Sequence, residues 1–455
     1  MGAVLAGPDL YVRGAVEVAG GRVARIGAAG ARSAVFAIPG LRNAHVHLDL
    51  SGVRGVPRAT RGFAAWVVEM MRRRGPFDPA ALQRGAALGV AEALATGTTS
   101  VGDIDSSGAA ACVVAASGLG GVSFREVLGA RDDAAWRTEV GRWLAGFDGF
   151  APSARLRPGL SPHAPYSTRP SLYRMCDELG EGGVDGRRLR RTTHIAETHA
   201  EAALFRGEEN ELLELLRSVG AEVPFVPAAP AMSPIEWLED LGSLSSEMAL
   251  AHANHPAAGD VERVAESGAT VVYCPRSHAF FEHSRHPVRE YLDAGVPVAL
   301  GTDSRASNAS LSMFDELAYL RAARPDLRPA ELLRMATEAG AAFLDGAPGR
   351  LDVGQPADLV LVESRTGLPD DLDEALEAVV SGTVSVIATL VSGVVCHLSG
   401  RAVGGPLPLT DALPELCSAA CGRPRSGPAP AEGGSRPSLA PLPDAAERGP
   451  DLESR

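Results

Sequence analysis

Lysine is absent from this chain of 455 residues, so arginine supplies all 43 of its strongly basic side chains. The absence excludes a Schiff-base lysine, a phosphate-loop lysine and a carboxylated lysine that bridges two metal ions. Acidic residues number 56 and leave a net charge of −13 at pH 7. Because no basic cluster offsets this charge, we expect neither nucleic acid nor a membrane to be a partner.

Cysteine is scarce, with six residues, and no two of them form the C-x-x-C pair typical of a zinc ribbon or a redox motif. The N-terminus lacks the basic start and long apolar run of a signal peptide. No apolar stretch is long enough to span a bilayer. We therefore expect a reduced, cytoplasmic protein that folds without disulfides.

Short runs rich in Val, Thr and Ile alternate with longer stretches of Ala, Leu, Glu and Arg through most of the chain. Eight of these runs are predicted strands, at 38–48, 98–105, 121–129, 156–165, 191–198, 248–255, 270–277 and 297–304. Strands that alternate with helices pair in parallel. Eight such units predict an α/β fold, the (β/α)8 TIM barrel, over residues 39–345.

The segments on either side of the predicted barrel, residues 1–38 and 346–404, contain short alternating runs typical of strands. Short hairpins need partners to be stable, so we expect the two segments to combine into one small β-sandwich. Residues 405–455 are rich in Pro, Gly and Ser and contain few large apolar side chains. This composition predicts a disordered tail.

A histidine pair, His45 and His47, ends the first predicted strand. Strand alternation places both imidazoles on one face, where they can point into the barrel mouth. Two imidazoles with further nitrogen or oxygen ligands suit zinc or ferrous iron. Taken alone, such a pair is more often two polar residues near a strand end, and Asp303 after the eighth strand could be a helix N-cap. Because the first and eighth strands are neighbours in a closed barrel, the three residues together favour a metal site.

Other predicted strands also end in reactive side chains. His194 could supply a third nitrogen ligand, and Glu197 could be either a proton shuttle beside a metal-activated water or an ordinary residue of a first helical turn. His163 and His252 follow the fourth and sixth strands. Each could be a packed polar residue or a group that orients water and substrate.

Candidate substrate contacts lie around the same strand ends, and they are Phe63, Trp66, Arg125, Arg276 and His278. Phe63 and Trp66, and with them Phe124, could face a purine or ribose, or they could pack in the core or in a lid. Arg125 and the adjacent Glu126 could orient the substrate, or they could merely pair with each other.

Six motifs occur in order along the predicted strands: PGLRNAHVHLDLS, SPHAPYS, HIAETHAE, LAHANH, CPRSHAFF and ALGTDSRASNASLSMFDEL. With them, residues 9–402 closely resemble the amidohydrolase superfamily, in its cytosine-deaminase-like and chlorohydrolase-like branch. Within that branch the motifs are most similar to those of aminodeoxyfutalosine deaminases and S-adenosylhomocysteine/methylthioadenosine deaminases.

The resemblance implies one divalent metal ion held by His45, His47, His194 and Asp303. Zinc is the first expectation, and ferrous iron stays open because both metals use the same ligands. It implies that Glu197 is the proton shuttle, that His252 stabilises the attacking hydroxide or the substrate, and that His163 contacts the substrate. Two-metal members use a carboxylated lysine on the fourth strand, where this chain has His163, so a one-metal site is favoured. Asp303 is also expected to act in catalysis, as acceptor of the second proton.

The implied reaction is hydrolytic deamination, in which hydroxide formed at the metal attacks an amine-bearing carbon and ammonia leaves. The expected substrate is an adenine-bearing nucleoside of the aminodeoxyfutalosine or adenosine type, acted on by a homodimer or larger oligomer. Guanine, cytosine and triazine deamination and chlorohydrolysis stay open. A different class, a catalytically inactive scaffold, is disfavoured because no ligand residue is missing.

Overall fold

The computed structural model describes residues 2–27, 34–56, 62–129, 133–150, 155–184, 186–218 and 232–399. The predicted tail at 405–455 lies outside these residues. Within them the strands are β1 (Ala3–Gly7), β2 (Leu10–Val12), β3 (Ala15–Ala19), β4 (Arg22–Gly27), β5 (Val35–Pro39), β6 (Leu41–Val46), β7 (Thr98–Asp105), β8 (Gly120–Val127), β9 (Leu156–Pro162), β10 (Arg190–Ile195), β11 (Met248–His252), β12 (Thr270–Tyr273), β13 (Val298–Leu300), β14 (Leu359–Ser364), β15 (Val384–Val391) and β16 (Val394–Leu398).

Helices fill most of the connections between the strands. They are α1 (Phe63–Arg74), α2 (Pro79–Ala95), α3 (Ala111–Ser117), α4 (Asp133–Gly146), α5 (Pro170–Gly182), α6 (His199–Phe205), α7 (Glu211–Ser218), α8 (Pro234–Asp240), α9 (Asp260–Ser267), α10 (Pro275–Phe280), α11 (Val288–Asp293), α12 (Met313–Ala323), α13 (Pro329–Ala336), α14 (Glu338–Leu344) and α15 (Leu372–Val380), with short 3-10 turns at Leu48–Gly52 and Phe147–Gly149. Among these described helices, none is long and apolar enough to cross a membrane.

Strands β6 to β13 form one parallel sheet in chain order, and its two edges meet. The backbone N–H groups of Thr302 and Asp303 donate to the carbonyl of His45 at 3.1 and 3.0 Å, which brings the last strand beside the first. The predicted (β/α)8 barrel is therefore confirmed. Its closure also places the region around His45 directly against Asp303.

Apolar side chains fill the barrel interior, and they alternate with side chains that face the surrounding helices. The interior cluster draws on six of the eight strands and consists of Ala44, Ile104, Val122, Phe124, Ala249, Val272 and Ala299. Phe343 and Leu344 of α14 complete this cluster. Such a packed interior leaves the carboxyl ends of the strands as the place for polar chemistry.

The N- and C-terminal segments meet in a second sheet, in the order β16-β15-β14-β5-β1-β2, and β3 and β4 form a hairpin. An apolar cluster that includes Val16, Val23 and Leu359 packs the hairpin on the sheet. Arg42 of the barrel is buried between Asp358 at 3.2 Å and Asp345 at 3.3 Å, and the ion pair with Asp358, which directly precedes β14, fastens the sheet to the barrel. The predicted joining of the two terminal segments is confirmed, and the exact domain boundaries stay a prediction.

The predicted barrel strands run too far at their carboxyl ends. The seventh was predicted to reach residue 277, but β12 ends at Tyr273 and Pro275 begins α10. The eighth was predicted to reach 304, but β13 ends at Leu300. A side chain that must turn across the barrel mouth leaves the regular ladder, so residues such as His47 and Asp303 stand just beyond their strands.

Candidate metal centre and active site

Three imidazoles, His45, His47 and His194, converge at the barrel mouth, and we call them the histidine cluster. One ring nitrogen from each lies within 4.8 Å of the others. Nε2 of His47 and Nε2 of His194 are 3.3 Å apart. Two ligands of a tetrahedral zinc ion with Zn–N bonds of about 2.0–2.1 Å are separated by about 3.3 Å, so the spacing fits a shared metal ion.

A carboxylate, that of Asp303, completes the cluster from the neighbouring strand. Its Oδ1 lies 3.6 Å from Nε2 of His47 and 4.0 Å from Nε2 of His45. Its Oδ2 accepts hydrogen bonds of 2.7 Å from the hydroxyls of Ser277 and Ser307. The two serines hold the carboxylate so that Oδ1 faces the imidazoles.

The protonation states suit metal binding. Burial lowers the pKa of His45 and His47 and brings that of His194 to about 4, and the neighbouring imidazoles add to the effect on His45. Burial opposes ionisation of Asp303, yet the imidazoles of His47 and His252 hold its pKa below the usual value. At neutral pH the cluster thus offers three neutral nitrogens and one carboxylate, the forms that bind a metal ion.

Two observations indicate that the cluster fits a metal ion. Both ring nitrogens of His45 are buried without a hydrogen-bond partner among the described residues. Nδ1 of His194 is 2.9 Å from the carbonyl of His163, to which it donates, so the lone pair of Nε2 faces the cluster. Metal-ligating histidines are commonly oriented in this way by a backbone carbonyl.

Glu197 and His252 lie beside the cluster, with Oε1 of the glutamate 3.7 Å from Nε2 of the histidine. The His252 ring centroid is 5.3 Å from that of His45 and 5.5 Å from that of His194. Burial, and next the charge of Asp303, raises the pKa of Glu197 well above its usual value. Burial lowers the pKa of His252 to about 3. The pair therefore combines a carboxyl group that readily holds a proton with a neutral imidazole.

Backbone strain is concentrated at the same place. His252 and Asp303 have φ angles of 71° and 58°, and Ala196 and Ala253 also lie in the left-handed region. Non-glycine residues adopt this region at a cost, and a surrounding structure that enforces it is typical of functional sites.

Comparison with known proteins identifies the family. The sequence profile of the amidohydrolase family matches residues 36–396. This chain belongs to the amidohydrolase family. The predicted family membership is thereby confirmed, over nearly the range that the motifs indicated.

Curated relatives of this amidohydrolase include deaminases. The aminodeoxyfutalosine deaminase of Deinococcus radiodurans is 32% identical over 69% of this chain and 74% of its own length. A 5-methylthioadenosine/S-adenosylhomocysteine deaminase of Nitratidesulfovibrio vulgaris is 30% identical over 85% of this chain and 88% of its own. Among solved structures, a zinc-bound adenosine deaminase from Xanthomonas campestris shares the fold, with a TM-score of 0.72, 22% identity, and coverage of 91% of this chain and 96% of its own.

His163 lies next to the cluster in this amidohydrolase, together with the carboxylate of Glu126, for which the sequence left open a role in orienting the substrate or a pairing with Arg125. One ligand atom each of Glu126, His163 and His194 lie within 4.8 Å of one another. Nδ1 of His163 is hydrogen-bonded to the hydroxyl of Ser167. Burial lowers the pKa of His163 to about 3, so this imidazole is neutral.

Arg125, a predicted substrate contact, faces away from the barrel interior. Its guanidinium forms an ion pair with Glu139, donates to the carbonyls of Asp105, Ser106 and Glu126, and lies over the ring of Trp136. With these bonds the side chain ties β8 to α4. The structure gives it no place at the histidine cluster.

Arg276 and His278 stand in α10 instead of on a strand. The Arg276 guanidinium donates to the hydroxyl of Ser310 at 2.7 Å and pairs with Asp315 at 3.4 Å. The His278 ring packs against Tyr273, His283 and His286, with centroids 5.3 to 5.6 Å away. Neither residue belongs to the metal-ligating groups found among the described residues.

Phe63 and Trp66 begin α1 and pack against each other, with ring centroids 5.9 Å apart. Both also contact Phe281, at 5.3 and 4.9 Å. Phe63 further packs against the apolar cluster that contains Tyr166, which lies close after His163. The two aromatic residues thus join α1 to the loops after the fourth and seventh barrel strands, and their contact with a substrate stays a prediction.

Sequence reasoning missed Ser277 and Ser307. Serines of this kind give no signal in one sequence, because their role depends on where Asp303 lies in space. For Glu126 the sequence left two roles open, and alternation favours the inward-facing one, since Val122 and Phe124 of the same strand face the barrel interior.

Proposed function

We propose that this amidohydrolase deaminates an amino-substituted purine nucleoside, of the aminodeoxyfutalosine or adenosine type, with one divalent metal ion. The observation that carries the proposal is the convergence of three neutral imidazoles and one carboxylate beside Glu197 and His252. The names of the curated relatives support the choice of a nucleoside.

The residues that would hold the metal are His45, His47, His194 and Asp303. We propose zinc first and ferrous iron second, since both accept these ligands. When bound, the ion lowers the pKa of a water molecule towards neutrality and so supplies the nucleophile. The Xanthomonas structure contains zinc, which supports the first choice.

The catalytic roles follow from charge and position. Glu197 takes a proton from the attacking water and gives it to a ring nitrogen of the substrate, a transfer suited to its raised pKa. His252 donates a hydrogen bond that stabilises the oxygen attacking the amine-bearing carbon. Asp303 accepts the second proton and passes it to the amino group, which leaves as ammonia while the carbon becomes a carbonyl. His163 contacts the substrate from the fourth strand.

An ammonia-release screen tests this proposal. The metal-supplemented protein is offered adenosine, S-adenosylhomocysteine, methylthioadenosine and aminodeoxyfutalosine, with guanine, cytosine and amino-triazines as competing ring types. We expect ammonia from at least one nucleoside, loss of activity after chelation and recovery with zinc. Release only from the competing rings would overturn the nucleoside assignment. If no compound releases ammonia and the protein holds less than half an equivalent of metal, the alternative of a catalytically inactive scaffold is favoured.

A further inference from the structure

Glu126 is an inward-facing carboxylate at the carboxyl end of the third barrel strand. On β8, Val122 and Phe124 contribute to the interior cluster, and alternation places Glu126 on the same face one step closer to the mouth. Arg125, between them, faces the helices and is bonded there. Glu126 is half-buried, whereas its neighbours in the strand are buried.

No cationic side chain neutralises Glu126 within the described parts of the chain. Its carboxylate forms no ion pair and accepts no hydrogen bond there, although it lies close to ring nitrogens of His163 and His194. A carboxylate in a barrel mouth that accepts nothing from the described residues has its acceptor capacity free for a ligand.

A second metal ion on Glu126, His163 and His194 is disfavoured by the nitrogens of His194. Nδ1 donates to the carbonyl of His163, and Nε2 faces Nε2 of His47 across the first site. One lone pair cannot serve two ions, so a second ion would keep only Glu126 and His163. The Glu126 carboxylate is therefore more suited to donors on the substrate.

We infer that Glu126 binds the vicinal 2′- and 3′-hydroxyls of the substrate ribose, which makes it a specificity determinant for ribonucleosides. This inference rests on the proposed function. An ionised carboxylate only accepts hydrogen bonds and has two oxygens to offer, so adjacent hydroxyls are a matched pair of donors. Acidic residues bind ribose hydroxyls in the same way in dinucleotide-binding proteins.

The test compares a ribonucleoside that the wild type deaminates with its 2′,3′-dideoxy analogue. Glu126→Gln keeps the size of the side chain and removes its charge, and the matched control is Glu363→Gln, on an exposed residue of β14. We expect Glu126→Gln to lower kcat/KM for the ribonucleoside by about 10- to 100-fold, the usual effect of weakening hydrogen bonds to a charged group. The dideoxy analogue should change by less than about threefold, and bound metal should equal that of the control.

Equal loss of activity on both substrates, or a lower metal content in Glu126→Gln alone, would overturn the inference and assign the residue to the metal site. If the wild type deaminates no nucleoside, the proposed function has failed. Nucleoside binding measured by calorimetry then tests the inference independently of activity. A purine ribonucleoside must bind the wild type more tightly than its dideoxy analogue, and Glu126→Gln must remove the difference; equal binding of the two by the wild type contradicts the diol site.

Discussion

Ser277 donates a hydrogen bond of 2.7 Å to Oδ2 of Asp303, and this contact leaves Oδ1 of the carboxylate facing the histidine cluster. Ser307 donates to the same Oδ2, so one residue of α10 and one of the loop after β13 restrain the same ligand. The restraint matters because a carboxylate that can rotate loses part of its binding energy in being ordered.

The double variant Ser277→Ala/Ser307→Ala is therefore expected to bind zinc about 10- to 100-fold more weakly, the usual effect of removing groups that orient a metal ligand. Competition with a chelator of known affinity measures the change. The control is Ser218→Ala, since that hydroxyl donates to a carbonyl of its own helix, away from the site. Wild-type affinity in the double variant would show that Asp303 is held by the backbone alone.

Glu197→Gln is expected to lower kcat by about 10²- to 10⁴-fold, because the amide cannot carry the proton from water to the ring nitrogen. The side chain is not among the proposed ligands, so bound metal should remain at one equivalent. Metal analysis and steady-state kinetics on the same preparation separate the two effects. Normal deamination by this variant would make the proton-shuttle assignment wrong.

Acid should lower the free energy of unfolding of the metal-free protein through its buried imidazoles. The pKa of His163 is about 3 in the folded state and about 6.5 when the chain is unfolded. Between these values the unfolded chain binds more protons, so this residue lowers the free energy of unfolding as the pH falls below 6.5.

His163→Gln removes the imidazole that takes up this proton in the unfolded chain. We expect the stability of the wild type relative to this variant to decline on going from pH 7.5 to pH 5, by about 1 kcal/mol per pH unit below 6.5. Urea unfolding of both proteins at several pH values measures this difference in stability. Buried acids such as Glu201, whose pKa burial raises to about 8, have the opposite pH dependence, but they are present in both proteins and cancel in the difference. A difference independent of pH would contradict a neutral buried His163.

Gly301 lies where the last barrel strand meets the first. A Cβ at this position would stand 2.8 Å from the carbonyl oxygen of His45 and 2.9 Å from its Cβ. We expect Gly301→Ala to destabilise the protein by about 1–3 kcal/mol and to weaken metal binding, because the strand must move away from the ligand.

The matched control for this substitution is Gly141→Ala, in α4, where an added Cβ meets nothing within 4 Å. That change should stabilise the protein by up to about 1 kcal/mol, since alanine is a better helix former than glycine. Thermal or denaturant unfolding measures both variants. Equal stability of the Gly301→Ala and Gly141→Ala variants would show that the barrel has space for an added Cβ beside His45.

Periodicity alone carried most of the fold prediction. Eight apolar runs separated by helical stretches leave few alternatives to a parallel barrel, and every predicted run contains a strand. The predicted strands extended too far at their carboxyl ends. In the sequence, a polar residue that follows the last hydrogen-bonded residue, such as His47, cannot be told from a continuation of the strand. Strict use of alternation on β8 would also have favoured Glu126 over Arg125 as the inward-facing residue.

By itself the sequence determined which chemistry was available: an H-x-H pair on one strand face, carboxylates and imidazoles after other strands, and no lysine to bridge two metals. Only the tertiary structure decided which of these groups meet. His45 and Asp303 lie side by side because the barrel closes there, and Arg276 is held by Ser310 and Asp315 because α12 packs beside α10. Contacts between residues far apart in the chain depend on packing in three dimensions, and local residue patterns do not specify them.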